Sequence, residues 1–102
     1  MNYLKKLLWW LIAGSSGGWN RARIIMLLKE NPMNAHQISE ALKIDYTTAR
    51  HHLKILEKNK LVQKMGDRYG AMYFLSELLE SNYSIFEEIL EKIGKKVIKT
   101  DS

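Results

Sequence analysis

Hydrophobic positions in this chain recur mostly three and four residues apart, and alternate only in short runs past the middle. Leu4, Leu7, Leu8, Leu11 and Ile12 fall at helical spacing, which predicts an amphipathic first helix. Trp9 and Trp10 widen its apolar surface beyond one stripe. A helix apolar on most sides needs cover on more than one side, and in so small a chain that points to a second copy. Gly14-Ser15-Ser16-Gly17-Gly18 interrupts the pattern and predicts a flexible linker. Asn20 is a good N-cap for a second helix over 21–30, with Trp19 as a staple before it. Asn31-Pro32 stops that helix, because Pro cannot continue the ladder. Met33 then sits in a short extended link.

The next stretch, NAHQISEALKIDYTTARHHLKILEKNKLV, predicts two helices with a tight turn between them. Asn34 caps the first, with Gln37 at capping-box spacing. Ile38, Ala41 and Leu42 point inward, and Ile44 plugs the turn. Asp45 is placed to cap the following helix, 46–59. Within it Ala49, Leu53 and Leu56 share one face, and His52 leans the same way. The opposite stripe is Thr47, Arg50, His51, Lys54 and Lys58, with Glu57 beside it. A helix that needed only solubility would mix Glu with Lys along that face. This one is cationic where it faces out.

Beyond Asn59 the run 61–65 alternates weakly, 66–70 is turn-rich, and 71–75 is a second strand candidate. Together they predict an antiparallel hairpin with a long tip, with Lys64, Arg68 and Tyr69 at or near it and Tyr73 and Phe74 in the core. Ser76 can cap a short turn through Leu78 and Leu79, with a break at Ser81-Asn82. Ile85, Phe86, Ile89, Leu90 and Ile93 then form the apolar stripe of a last helix, which Gly94 is expected to end. The expected fold is mainly α with a small β-hairpin (α+β). A single domain covers 1–102: a helix and loop over 1–18, a core over 19–75, and a helix and tail over 76–102.

Composition sharpens this reading. The 102 residues carry a net charge of +5, with a pI near 9.5, which favours an anionic partner. The charge is also segregated. Between Lys43 and Arg68 seven Lys or Arg face three carboxylates, whereas 76–91 holds five Glu and no base. That is the pattern expected when one face meets phosphates and another does not. The absence of cysteine removes disulfides, thiolate metal sites and cysteine nucleophiles, and suits a reducing cytoplasm. The apolar run 7–13 is far short of the roughly 20 residues a membrane span needs. The Gly-rich loop lacks the strand before it and the Lys-Ser/Thr after it that a phosphate loop requires. No spacing supports a catalytic constellation, so no enzyme and no cofactor are expected.

The segment DYTTARHHLKILEKNKLV followed by a hairpin with a Gly-containing tip resembles the winged helix-turn-helix of ArsR-type regulators, and more closely their small archaeal forms. The resemblance covers about 19–75. It implies a DNA-binding transcription regulator in which 46–59 is the recognition helix and 61–75 the wing. It also implies a homodimer joined by the first and last helices. The contact residues are then Leu4, Leu8, Trp9, Leu11 and Ile12 with Ile85, Phe86, Ile89 and Leu90. The departure lies in sensing. Metal sensors of this kind carry Cys on the recognition helix or Asp, His and Glu sets at the dimer interface, and this chain lacks both patterns. His51 and His52, about 100° apart on a helix, make a poor chelate, so no metal is expected.

On this reading the recognition helix enters the major groove of double-stranded DNA. Arg50 is the expected base reader, since Arg bonds guanine O6 and N7 bidentately. His51 and Thr47 follow, while Tyr46, Thr48 and Lys54 hold phosphates. Asn34, His36 and Gln37 start a helix whose N-terminus can face the backbone. Lys64, Arg68 and Tyr69 reach phosphates or the minor groove from the wing. The rival reading is a winged helix that binds proteins and never touches DNA.

Overall fold

A computed structural model of the protein describes residues 2–101, with the side chains of Tyr69 and of 95–101 outside the description. The chain begins with α1 (Tyr3–Leu8), which runs into a π-helical segment (Trp9–Ala13). Then come α2 (Gly18–Glu30), β1 (Met33–Asn34), α3 (Ala35–Leu42) and α4 (Tyr46–Lys58). Strand β2 (Val62–Met65), a 3-10 turn (Arg68–Gly70) and β3 (Met72–Leu75) form the hairpin. Helices α5 (Glu77–Ser81) and α6 (Tyr83–Asp101) close the described chain. This is a winged helix-turn-helix with additional helices at both ends.

The capping chemistry accounts for most boundaries. Asn34 accepts from the Gln37 amide at 2.8 Å, and Gln37 Oε1 accepts from the Asn34 amide at 2.9 Å, a complete capping box for α3. Ser76 accepts from the Leu79 amide at 3.2 Å and starts α5. Lys43, at φ 57°, turns the chain out of α3 in the left-handed region. Asp45 occupies the cap position of α4, yet its side chain makes no capping bond there.

Four expectations need correction. The hairpin is part of a three-stranded antiparallel sheet in the order β1-β3-β2. The link at Met33 pairs with Tyr73, and Asn34 pairs with Met72. Two residues are too few to show a period of two, so the strand left no trace in the pattern. Helix α2 starts at Gly18 rather than after Asn20, whose Oδ1 instead accepts from Arg23. Trp19 is therefore inside the helix and 56% exposed, not a staple. The last helix continues through Gly94.

The chain ends also depart from expectation. Leu4, Leu8, Leu11, Ile12, Phe86 and Ile89, expected at a dimer interface, are buried in the core of this chain. The reason is internal cover. The π-helical segment packs on α2, and α6 packs on α1 and the π-helical segment, so their apolar faces meet one another. They join Ile24, Ile25, Ile38, Leu53, Leu56, Leu61, Val62 and Leu79 in one cluster. Trp9, Ile85 and Leu90 keep part of their surface. Trp10, which had no assigned contact, is 62% exposed.

The 14–18 loop is also more than a linker. A Cβ on Gly18 would lie 1.9 Å from the Ile12 carbonyl oxygen, so α2 begins in direct backbone contact with the preceding segment. Gly17, at φ 79°, makes the turn that permits this approach.

Candidate nucleic-acid interface

Helix α4 is amphipathic with opposed duties. Ala49, Leu53 and Leu56 are fully buried against the core, as their spacing predicts. Thr47, His51, Lys54 and Lys58 are exposed, and Arg50 and Thr48 are half-buried. The hairpin stands beside this outer face. Thr47, Arg50, His51, Lys54 and Glu57 line one open cleft with Lys64 and Tyr73 of the sheet. Register explains the meeting, since Lys64 of β2 pairs with Tyr73 of β3. The structure thus brings four expected reading residues together with one wing lysine. Among the described residues, Glu57 is the single carboxylate lining that cleft.

The start of α3 joins this surface through aromatic contacts. The Tyr46 ring lies 6.5 Å from that of His36, whose Nε2 is 3.1 Å from Glu40. Arg50 Nη1 donates to the Tyr46 hydroxyl at 3.2 Å, and its guanidinium lies 5.9 Å from the Tyr46 ring centroid. Arg50 is held along the helix by these contacts, which limits its side-chain freedom. Asn34 and Gln37 each spend an oxygen on the capping box, which leaves their amide N–H groups as what they can offer a phosphate. Arg68 is exposed in the 3-10 turn at the hairpin tip, at φ 54°. The side chain of Tyr69, the remaining wing residue expected to contact DNA, lies outside the described residues.

The adjacent histidines diverge. Their rings sit edge to face, 5.4 Å apart. His51 is exposed in the cleft, while His52 is only 6% exposed. Burial pushes the His52 pKa below the usual value, and the positive neighbours Arg21 and His51 push the same way. Arg21 itself is 4% exposed, and burial lowers its pKa too. Arg21 is not among the site residues expected from the sequence. Its one signal was spacing, because Arg21, Ile25 and Leu28 occupy one helical face. Among the described residues, no cluster of three metal-ligating side chains is present, and no helix is long and apolar enough to cross a membrane.

Helices α3 and α4, the turn between them and the start of the hairpin coincide with a known sequence family. Residues 20–64 match the model of bacterial regulatory proteins of the arsR family. The arsR-matching segment thus runs from the first turn of α2 into the first wing strand. No curated protein matches the chain in sequence. Three solved structures share the fold beyond that segment. A probable transcriptional regulator from Pseudomonas aeruginosa covers 95% of this chain and 76% of its own, with a TM-score of 0.72 and 16% identity. MarR from Staphylococcus aureus, in complex with salicylate and kanamycin, covers 95% of this chain and 65% of its own, with a TM-score of 0.65 and 24% identity. ZitR from Lactococcus lactis, in complex with DNA, covers 80% of this chain and 56% of its own, with a TM-score of 0.58 and 22% identity. At such identities the likeness is one of fold. The chain spans little more than half the length of the ZitR chains it matches.

Proposed function

We propose that this protein is a sequence-specific, double-stranded DNA-binding transcription regulator, one winged-helix domain that binds DNA rather than catalysing a reaction. The observation that carries the reading is the shared cleft of α4 and the wing, where Arg50, His51, Lys54 and Lys64 face the same open space. α4 enters the major groove with Arg50 on a guanine edge, and His51 and Thr47 beside it. Tyr46, Thr48, Lys54, Asn34, His36 and Gln37 hold the phosphate backbone. Lys64, Arg68 and Tyr69 hold it from the wing. The arsR match over 20–64 supports the same reading, as does the DNA complex of ZitR, whose fold this chain shares. DYTTARHHLKILEKNKLV supports the assignment to small archaeal-type regulators, and a DNA target supports a cytoplasmic site of action.

Two copies meet, on this reading, through what the terminal helices leave uncovered: Trp9, Trp10, Ile85 and Leu90. A two-fold dimer then reads an inverted repeat with half-sites roughly 10 bp apart or a multiple of it. Selection of bound sequences from a random DNA pool, followed by titration onto the selected and a random duplex at two salt concentrations, tests the function. Tighter binding to the selected duplex, falling steeply with salt, is expected. No binding to either duplex at low salt would assign the chain to the winged helices that bind proteins instead.

A further inference from the structure

Arg21 is a buried cation with no carboxylate in ion-pair distance among the described residues. All of its hydrogen bonds go to neutral groups on three separate segments. Nε donates to the Leu11 carbonyl at 2.9 Å, in the π-helical segment. Nη2 donates to the Ser15 hydroxyl and, at 3.3 Å, to the Ser16 carbonyl, both in the 14–18 loop. Nη1 lies 3.2 Å from His52 Nδ1, on α4. Arginine only donates, so His52 Nδ1 is the acceptor and the neutral ring carries its proton on Nε2. Gly17 closes the other side, where a Cβ would stand 2.7 Å from His52 Cε1.

A core that required only packing would place an apolar side chain here, since burying a charge without a counterion is costly. The bond to His52 does something that packing does not. The inner face of α4 is otherwise apolar at Ala49, Leu53 and Leu56, and apolar contact is non-directional. A hydrogen bond is directional and resists rotation about the helix axis. Arg50 and Lys54 each stand two residues from His52, about 200° around the helix and so nearly opposite it. A rotation of roughly 20° would carry a side-chain atom 6 Å from the axis through about 2 Å. That exceeds the tolerance of a bidentate base contact.

We propose that Arg21 is a positioning residue for DNA reading: it fixes the rotation of α4 through His52, using the N-terminal loop as its anchor. The proposal rests on the DNA-reading function above. The test compares wild type with Arg21→Met, His52→Leu and His52→Asn, taking thermal melts and affinities for the pool-selected duplex and a random duplex. Asn Oδ1 stands where Nδ1 stood and still accepts. Arg21→Met and His52→Leu are expected to lower the selected-to-random affinity ratio tenfold or more. His52→Asn is expected to keep it within threefold. Arg21→Met leaves the Leu11 carbonyl and His52 Nδ1 without their donor and is expected to melt below wild type. Affinities are therefore taken well below every melting transition, where a lost ratio in a folded variant reports positioning rather than unfolding. An unchanged ratio in Arg21→Met, or in His52→Leu should Arg21→Met not fold, overturns the proposal. A ratio lost equally in His52→Asn and His52→Leu also overturns it. A wild type that fails to discriminate the two duplexes overturns the DNA reading itself.

Discussion

The N-terminal segment, 3–18, and the segment proposed to read DNA, 34–75, bury apolar side chains to similar depth, but they treat polar groups in opposite ways. In the reading segment the cations point outward, and the inner faces of α3 and α4 are largely apolar. In the N-terminal segment, carbonyls and a hydroxyl turn inward to meet Arg21, and a glycine touches backbone. The first arrangement is governed by periodicity. The second is governed by individual hydrogen bonds and by one close approach. The difference teaches that a segment read as linker and spare helix can be as integral to the core as the motif beside it.

The largest test of that equivalence is a matched pair of truncations. Leu8 and Leu53 are both fully buried, one in each region. Each Leu→Ala variant is expected to lose about 2–5 kcal/mol of stability in chemical denaturation. A Leu8→Ala cost below about 1 kcal/mol would make the N-terminal segment an appendage after all.

Arg50→Ala sharpens the reading side. It is expected to cost about 1–3 kcal/mol on the selected duplex, with relaxed choice at one base pair. An equal loss on random duplex would make Arg50 a phosphate contact only.

The two histidines extend the comparison to pH. The folded His52 pKa is depressed, so between that value and the unfolded value near 6.5 the unfolded chain binds more protons. Stability from this site is therefore complete above pH 6.5 and declines as pH falls toward the folded value. Melting at pH 7.5 and 5.5 should show a larger drop for wild type than for His52→Asn. Equal drops would place the acid sensitivity elsewhere. The smallest effect belongs to the wing. Arg68→Ala should weaken all duplexes alike and reduce the salt slope by about one. An unaltered slope would take the hairpin tip out of the interface.

Much of the reading segment was legible because its chemistry repeats. Ala49, Leu53 and Leu56 announced the inner face of α4, and Asn34 with Gln37 announced the start of α3. His52 was drawn inward by the same spacing, though nothing in its neighbourhood named Arg21, 31 residues earlier, as its partner. Gly18 looks like a breaker in the sequence, because glycine alone does not distinguish freedom from close contact. The apolarity of the terminal leucines points to a second copy, because the helix that covers them lies at the other end of the chain. The cleft residues Thr47, Arg50, His51, Lys54 and Lys64 were expected together, and they line the same space. Glu57 was noticed beside the stripe, but its share in the cleft needed the geometry.

The order β1-β3-β2 leaves β2 as a border strand with one row of backbone groups unpaired within the sheet. Such borders invite accretion, one chain adding its strand to the next. β2 is short, and after Val62 it reads Gln63, Lys64 and Met65, all exposed. Two copies aligned edge to edge in register would set lysine near lysine, so on the proposed reading one cation both meets a phosphate and guards the solubility of the wing.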